Sequence, residues 1–323
     1  MPGTIKDIAR QAGISFQAVS AVLNGNLSKT SEITRRRVFA AASELNYRPN
    51  RLARGLAGRK TGLVAFVAPD FNSPYYADLN QKLRDEADRH ERQLMVFASR
   101  WDVEETCAKV AQAADYVVDG VLLVQNVALE IRKRGLLPAG TPMVVMSSDG
   151  APPGPEDFQI RFDYLPGMRQ VFAMLLERGC RNIELVHCLS ERPKLSAFRR
   201  VCAENGMEPR VRQFPFCNND DIVPVFAREL ASESLPDAFL ASADYISVGM
   251  VREFAALGIR VPDDVSLVSI DDAMISQYIT PALCTIRLDR SLVARTAFNM
   301  LINPSHERTT VIGTELVMRD SVR

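Results

Sequence analysis

The sequence predicts a small all-helical N-terminal domain followed by a larger, two-lobed α/β core. Three observations point there. Residues 1–61 hold 11 Lys and Arg against 3 Asp and Glu, whereas the whole chain is neutral, with 39 of each sign. The same segment repeats a pattern of polar cap, short amphipathic run and glycine. From Gly62 onward, short apolar runs alternate with amphipathic stretches, the rhythm of βαβ units with helices on both faces of a parallel sheet. A length of 323 residues, 47% hydrophobic and 24% charged, suits two or three globular domains.

In the head, Thr4 is a plausible N-cap for "IKDIARQA", with Asp7 three residues on as its acidic partner, and Gly13 ends that helix. Ser15 caps "FQAVSAVLN", which Gly25 ends. Two short helices joined at a glycine match the helix-turn-helix layout. Ser31 can cap a third helix running to about Leu45, whose Val38, Ala41, Ala42 and Leu45 recur at helical spacing. Ile5, Ile8, Ala12, Val19 and Val22 supply the facing apolar set. On the second helix this leaves Phe16, Gln17, Ser20, Ala21 and Asn24 on another face. That face is small and uncharged, suited to a major groove, where Gln can bond an adenine edge. The cationic surplus beside it favours a polyanion partner, because phosphate neutralisation supplies most sequence-independent affinity.

"LARGLAGRKTG" follows. Its three glycines make it too weak to overcome helix nucleation alone, and its apolar residues are unlike a plain linker. Pro49 stands at the start of this region, where a missing N–H is harmless. Arg51 and Arg54 can reach phosphates.

Beyond it, the apolar runs "LVAFVA", "LMVFA", "GVLLV", "MVVM", "IELVHC", "AFLA" and "VSLVSI" read as strands. Helices are expected between them, such as Tyr76–His90 and Tyr245–Leu257. The six cysteines (Cys107, Cys180, Cys188, Cys202, Cys217, Cys284) form no C-x-x-C pair and are expected as reduced packing residues. "MPGTIKDIAR" has no apolar run and is not expected to be a secretory signal, so a cytoplasmic protein is expected. The longest uncharged apolar stretch, "GLVAFVAP", is far too short to span a bilayer. Asp271 and Asp272 are paired carboxylates without a neighbouring nucleophile or histidine, and the three histidines are isolated. There is no G-x-G-x-x-G, no Walker A pattern and no metal-ligand spacing. No enzyme, metal or cofactor is expected.

"TIKDIARQAGISFQAVSAVLNG" and "TRRRVFAAASELNYRPNRLARGLAGRKTG" strongly resemble the lac repressor (LacI/GalR) family of bacterial transcription regulators. The likeness continues through "LVAFVAPDFNSPYYADL", "VDGVLLV", "ALGIRVPDDVSLVSIDD" and "YITPALCTI", nearly the whole chain. The resemblance implies a helix-turn-helix domain over 1–48, a hinge helix or linker over 49–61 and a core over 62–323. That core would have the type I periplasmic-binding-protein fold, with lobes of roughly 62–160 plus 290–320 and 161–289. It implies DNA contacts from Thr4, Ser15, Phe16, Gln17, Ser20, Ala21, Asn24, Asn50, Arg51 and Arg54. A Leu56 wedge from each of two subunits would unstack a central minor-groove step. Ala21 stands where the family commonly has Arg or Lys, so one charge-assisted contact is missing.

Ligands of open α/β sheets bind at the carboxyl ends of strands, which here carry Asp70, Arg100, Trp101, Ser147, Asp244 and Asp271. By resemblance, Tyr75 is the aromatic facing the effector, and Lys194 replaces an Arg that often clamps it. Ser147 stands for a frequent Asp, Ala243 for an Asn, and Tyr164 for an Asn. Several hydroxyl partners of a sugar are thereby lost. A sugar, a small or aromatic effector, an anion held by Lys194 and Arg100, and a degenerate pocket remain open. The function implied is an operator-binding regulator, a repressor or dual regulator, acting as a homodimer and modulated by a small metabolite. The rival is a ligand-binding module of the same core without DNA work.

Overall fold

A computed structural model of the chain describes residues 3–23, 30–47, 60–69, 71, 73–147, 154, 157–188, 192–214, 229, 234–303 and 305–323. Two compact units result, 1–61 and 62–323.

The first unit holds α1 (Ile5–Ala12), α2 (Phe16–Leu23) and α3 (Glu32–Glu44). Each begins at a cap the sequence supplies. The Thr4 hydroxyl accepts from the Asp7 N–H while Asp7 accepts from the Thr4 N–H, a complete capping box. Ser15 Oγ accepts from the Ala18 N–H, and Ser31 Oγ from the Thr34 N–H. Gly13 closes α1 in the left-handed region, φ +63°, where a side chain would be strained. Ile8, Val19 and Val38 are fully buried where the three helices meet.

The second unit is an eleven-stranded ladder in the order β2-β1-β3-β4-β5-β11-β10-β9-β8-β6-β7. β1 (Leu63–Ala68), β2 (Gln93–Ala98), β3 (Gly120–Leu123), β4 (Met143–Met146) and β5 (Phe158–Asp163) form one lobe's parallel sheet. β6 (Ile183–Cys188), β7 (Arg210–Phe214), β8 (Ala238–Ala241), β9 (Ser266–Asp271) and β10 (Cys284–Leu288) form the other's. β11 (Thr309–Val317) joins them: Thr309–Gly313 run parallel to β5, and Thr314–Val317 run antiparallel to β10.

Helices cover both faces of each sheet. On the first lobe, α4 (Pro74–Arg89) and α10 (Arg290–Ile302) bury Leu79, Leu83 and Phe298 against Phe66 and Phe158. On its other face, α5 (Val103–Asp115) and α6 (Ala128–Lys133) bury Val110 and Ile131. On the second lobe, α7 (Leu165–Glu177) and α8 (Arg192–Glu204) set Phe172 edge-on to Phe198 with ring centroids 5.6 Å apart, and α9 (Asp244–Ala256) buries Met250 and Phe254. Two expected helices begin earlier in the structure: α4 starts at Pro74, whose missing N–H suits a first helical turn, and α9 at Asp244. β5, β7, β10 and β11 fall outside the seven apolar runs, because charged or polar residues alternate through them.

The chain passes between lobes after β5, after β10 and within β11. The first and the last of these passages are tied together: Thr314 Oγ1 donates to the Asp163 carbonyl at 3.0 Å and accepts from the Gly167 N–H at 3.3 Å. Cys107, Cys180, Cys202 and Cys284 are buried free thiols. Among the described residues no helix is long and apolar enough to cross a membrane.

Candidate functional site

α2 turns Val19 and Val22 into the head's core. Phe16 and Gln17 are thereby exposed, Phe16 by half of its surface, with Ser20 and Ala21 partly exposed beside them. Ser15 and Thr4 are exposed at the starts of α2 and α1, and the Thr4 hydroxyl is committed to its cap. Arg10 and Arg36 lie at the surface, weakly engaged by Asp7 and Glu32 of their own helices. Asn24, Asn50, Arg51, Arg54 and Leu56 lie outside the described residues, as does Asp70 in the core.

In the core, the carboxyl ends of the strands and the helix starts beyond them gather a compact charged and aromatic cluster. Lys194, on the first turn of α8, is 6% exposed. Its Nζ donates to the Ser242 carbonyl at 2.6 Å and to Asp271 Oδ1 at 3.0 Å, and lies 5.6 Å from the Tyr164 ring centroid. Asp271 closes β9 with φ +113° and Asp272 follows at φ +53°, two successive L-residues in the left-handed region. Such backbone costs about 1–3 kcal/mol per residue and persists only where its surroundings hold it.

Arg290 does the holding. It opens α10 on the other lobe and is 8% exposed. Its Nη1 donates to the Asp271 carbonyl, its Nη2 to the Asp272 carbonyl at 2.7 Å, and its Nε to the Asp78 carboxylate on α4. The guanidinium also lies 5.6 Å from the Tyr75 ring centroid. One side chain thus bridges both lobes and fixes the turn that presents Asp271. The Asp272 carboxylate is held separately by Arg319 at 2.6 Å.

Tyr75 is partly buried among these charges. Burial, then the Asp271 carboxylate, push its phenol well above the ordinary tyrosine value, while Arg290 and Lys194 pull the other way. Its ring meets Tyr76 edge-on at 5.0 Å, and Tyr76 meets Trp101 at 6.2 Å. Trp101 is placed by backbone: Arg100 and Trp101 both have positive φ, 46° and 59°, and Gln125 Nε2 donates to the Trp101 carbonyl at 3.1 Å.

Tyr75, Lys194 and Asp271 therefore share one cluster, and Trp101 joins it through Tyr76. Two expected residues face elsewhere. The Arg100 side chain is 81% exposed and pairs with Glu105 at 3.1 Å, outside the contacts that gather Lys194 and Asp271. Asp244 is turned inward, 2% exposed, accepting from Ser269 Oγ and the Ala273 N–H. Burial raises its carboxyl above the ordinary value, against the pull of those hydrogen bonds. Asp244 thus ties the start of α9 to β9 and to the turn that follows it. Ser147 directly follows β4, where its carbonyl accepts from Gln159 Nε2 at 3.0 Å.

Arg290 and Asp78 were missed from sequence. A signal existed: a cation in the first turn of a helix opposes the macrodipole, so Arg290 needed some other partner. Among the described residues no group of three or more His, Cys, Asp or Glu could hold a metal ion.

Comparison with known proteins places this geometry. Residues 4–50 match the family described as bacterial regulatory proteins, lacI family, and residues 172–322 match the periplasmic binding protein-like domain. Catabolite control protein A of Staphylococcus aureus is 27% identical over 294 residues, spanning 88% of this chain and 87% of that protein. The HTH-type transcriptional regulator DegA of Bacillus subtilis is 26% identical over 295 residues, spanning 88% and 86%. The solved lac repressor dimer bound to operator and the anti-inducer ONPF superposes with a TM-score of 0.86 at 25% identity, covering 99% of each chain. A lacI-type DNA-binding head joined to a periplasmic-binding-protein-like effector core makes this chain a member of the lacI family of bacterial transcriptional regulators.

Proposed function

We propose that the protein is a cytoplasmic homodimer that binds a pseudo-palindromic operator and represses from it, with a small metabolite between the core lobes changing its affinity for DNA. The exposed face of α2 enters the major groove. Gln17 and Phe16 read base edges, Ser20 and Ala21 pack close beside them, and Ser15 and Thr4 approach phosphates at helix starts. Asn24 and Asn50 extend that contact, Arg51 and Arg54 neutralise phosphates, and paired Leu56 wedges kink the central step. Two-fold symmetry of the protein matches that of the site. The effector lies against Tyr75, Trp101, Lys194 and Asp271, with Asp70 and Ser147 at the same strand ends. Its closure of the lobes alters whether two hinge segments can pair. No catalysis is assigned.

The observation that carries this reading is α2 itself: apolar residues buried on one side, and an exposed, uncharged polar face on the other, within a segment whose cations outnumber its anions by 11 to 3. The test is selection of random duplex oligonucleotides by the purified full-length protein at low salt, with and without metabolite extract. Enrichment of an inverted repeat is expected; enrichment of nothing under both conditions sinks the reading.

A further inference from the structure

We propose that the core cleft takes an uncharged molecule with a planar aromatic ring, held against Tyr75, Tyr76 and Trp101. This rests on reading the cleft as the effector site, and it adds the chemical class. The first ground is charge. Lys194 is matched by Asp271 and Arg290 by Asp78. Further donors of both cations are taken by the carbonyls of Ser242, Asp271 and Asp272. A buried cluster so closed on itself offers nothing to a charged newcomer. An anion reaching Lys194 must displace Asp271 and leave two negative groups together; a cation reaching Asp271 must displace Lys194. Either costs far more than it returns in a poorly solvated site.

The second ground is the shape of what remains. Tyr75, Tyr76 and Trp101 are each partly exposed, and they run edge-to-face at 5.0 and 6.2 Å between centroids. One more ring continues that geometry at the separations aromatic pairs prefer, each contact contributing about 0.5–1.5 kcal/mol. The third is the shortage of hydroxyl partners. Every sugar hydroxyl left unmatched costs about 1–3 kcal/mol, and the described carboxylates of the cluster are already engaged. A ligand with a single hydroxyl needs only one partner, and the neutral phenol of Tyr75 can give or accept that one bond.

The experiment uses the full-length protein and matched probes: 4-hydroxybenzyl alcohol and related uncharged phenols and aldehydes, their carboxylate counterparts such as 4-hydroxybenzoate, and D-glucose, D-xylose and D-ribose. Thermal shift and calorimetry measure binding. Quenching of Trp101, the one tryptophan in the chain, locates it. At least one uncharged aromatic probe should bind saturably, with its carboxylate about tenfold weaker or worse, as expected for a charge entering a compensated site. In Asp271→Asn, Lys194 loses its counter-charge and the order should reverse in favour of the carboxylate. Should that variant fail to fold, Asp78→Asn makes the same test through Arg290. Silence of every uncharged aromatic probe, binding of a sugar or carboxylate in preference, or an unreversed order in the folded variant overturns the inference. A protein that selects an operator yet answers to a sugar keeps the regulator reading and loses this one; a protein that binds the aromatic probe yet selects no DNA does the opposite.

Discussion

Lys194 and Asp271 illustrate how much a single buried pair decides. The lysine is legible as a site residue only through the family resemblance, where it replaces an Arg, and its energetics come from residue 271, 77 positions away. Removing one partner strands the other charge, which costs about 3 kcal/mol or more, whereas replacing both with apolar groups of similar volume costs little. Lys194→Met should therefore lower the unfolding free energy by about 3 kcal/mol in urea, and adding Asp271→Leu should restore part of it. Equal or additive losses would remove the pair from this account. Asp244 makes a prediction of different kind. Its folded carboxyl keeps its proton to higher pH than an unfolded one, whose value is near 3.8. The folded state then binds more protons across that window, so this group's contribution falls as pH rises from about 3.8 through the raised value. Glu204 and Asp264, held near 2 by Arg169 and Arg260, act oppositely: their stabilisation is present above the ordinary carboxylate values and is lost as pH falls toward 2. They are common to the native protein and Asp244→Asn, so the difference between the two isolates Asp244. The native advantage over Asp244→Asn should shrink as pH rises from 4 to 6 in parallel denaturation curves; an advantage that grows contradicts an inward, desolvated carboxyl.

At the scale of elements, the legible strands were those that carry short apolar runs. β1, β3, β4 and β8 are buried at every position and read as unbroken runs. β9 is equally buried but interrupted by Ser266, Ser269 and Asp271, and β2 reads as an apolar run although every one of its positions is at least partly exposed. β5 and β11 carry Arg161 and Glu315 at exposed positions, so a search for apolar runs passes over them. What sequence spacing does not contain is the way β11 is shared, its first half with β5 and its second with β10, because that depends on partners some 150 and 30 residues away. The Arg290–Asp78 pair is illegible for the same reason, its partners lying 212 positions apart. The inward turn of Asp244 was likewise set by Ser269 and Ala273 from another strand end. Where α7 crosses this seam, a Cβ on Gly167 would stand 2.6 Å from Ile286 Cγ2 and 2.8 Å from Thr314 Oγ1. The helix can approach the lobe passages this closely only without a side chain. Gly167→Ala should destabilise the core by about 1–3 kcal/mol through overpacking, measured as a lower urea midpoint with an unchanged slope. A neutral effect would mean that α7 and β11 shift apart freely.

For the whole molecule, the informative quantity is where its charge lies rather than its sum. A neutral chain with all of its cationic surplus before residue 62 leaves an anionic core that repels DNA and a head that attracts it. Affinity for duplex DNA should then fall linearly on a log–log plot against salt, with a slope of about −0.9 for each phosphate neutralised. Arg51, just ahead of the glycine-rich segment, and Arg54 within it are expected at the backbone and lie outside the described residues. Replacing both with Ala should weaken specific and non-specific DNA alike, because phosphate contacts carry no sequence information. It should also reduce the slope by about 2 for each head engaged. A reduction of about 4 means that two heads grip the site together, as a two-fold dimer on an inverted repeat requires. A reduction of about 2 would mean one head at a time. An unchanged slope would remove these arginines from the interface, leaving the cations of α1 and α3 to carry the electrostatic contact.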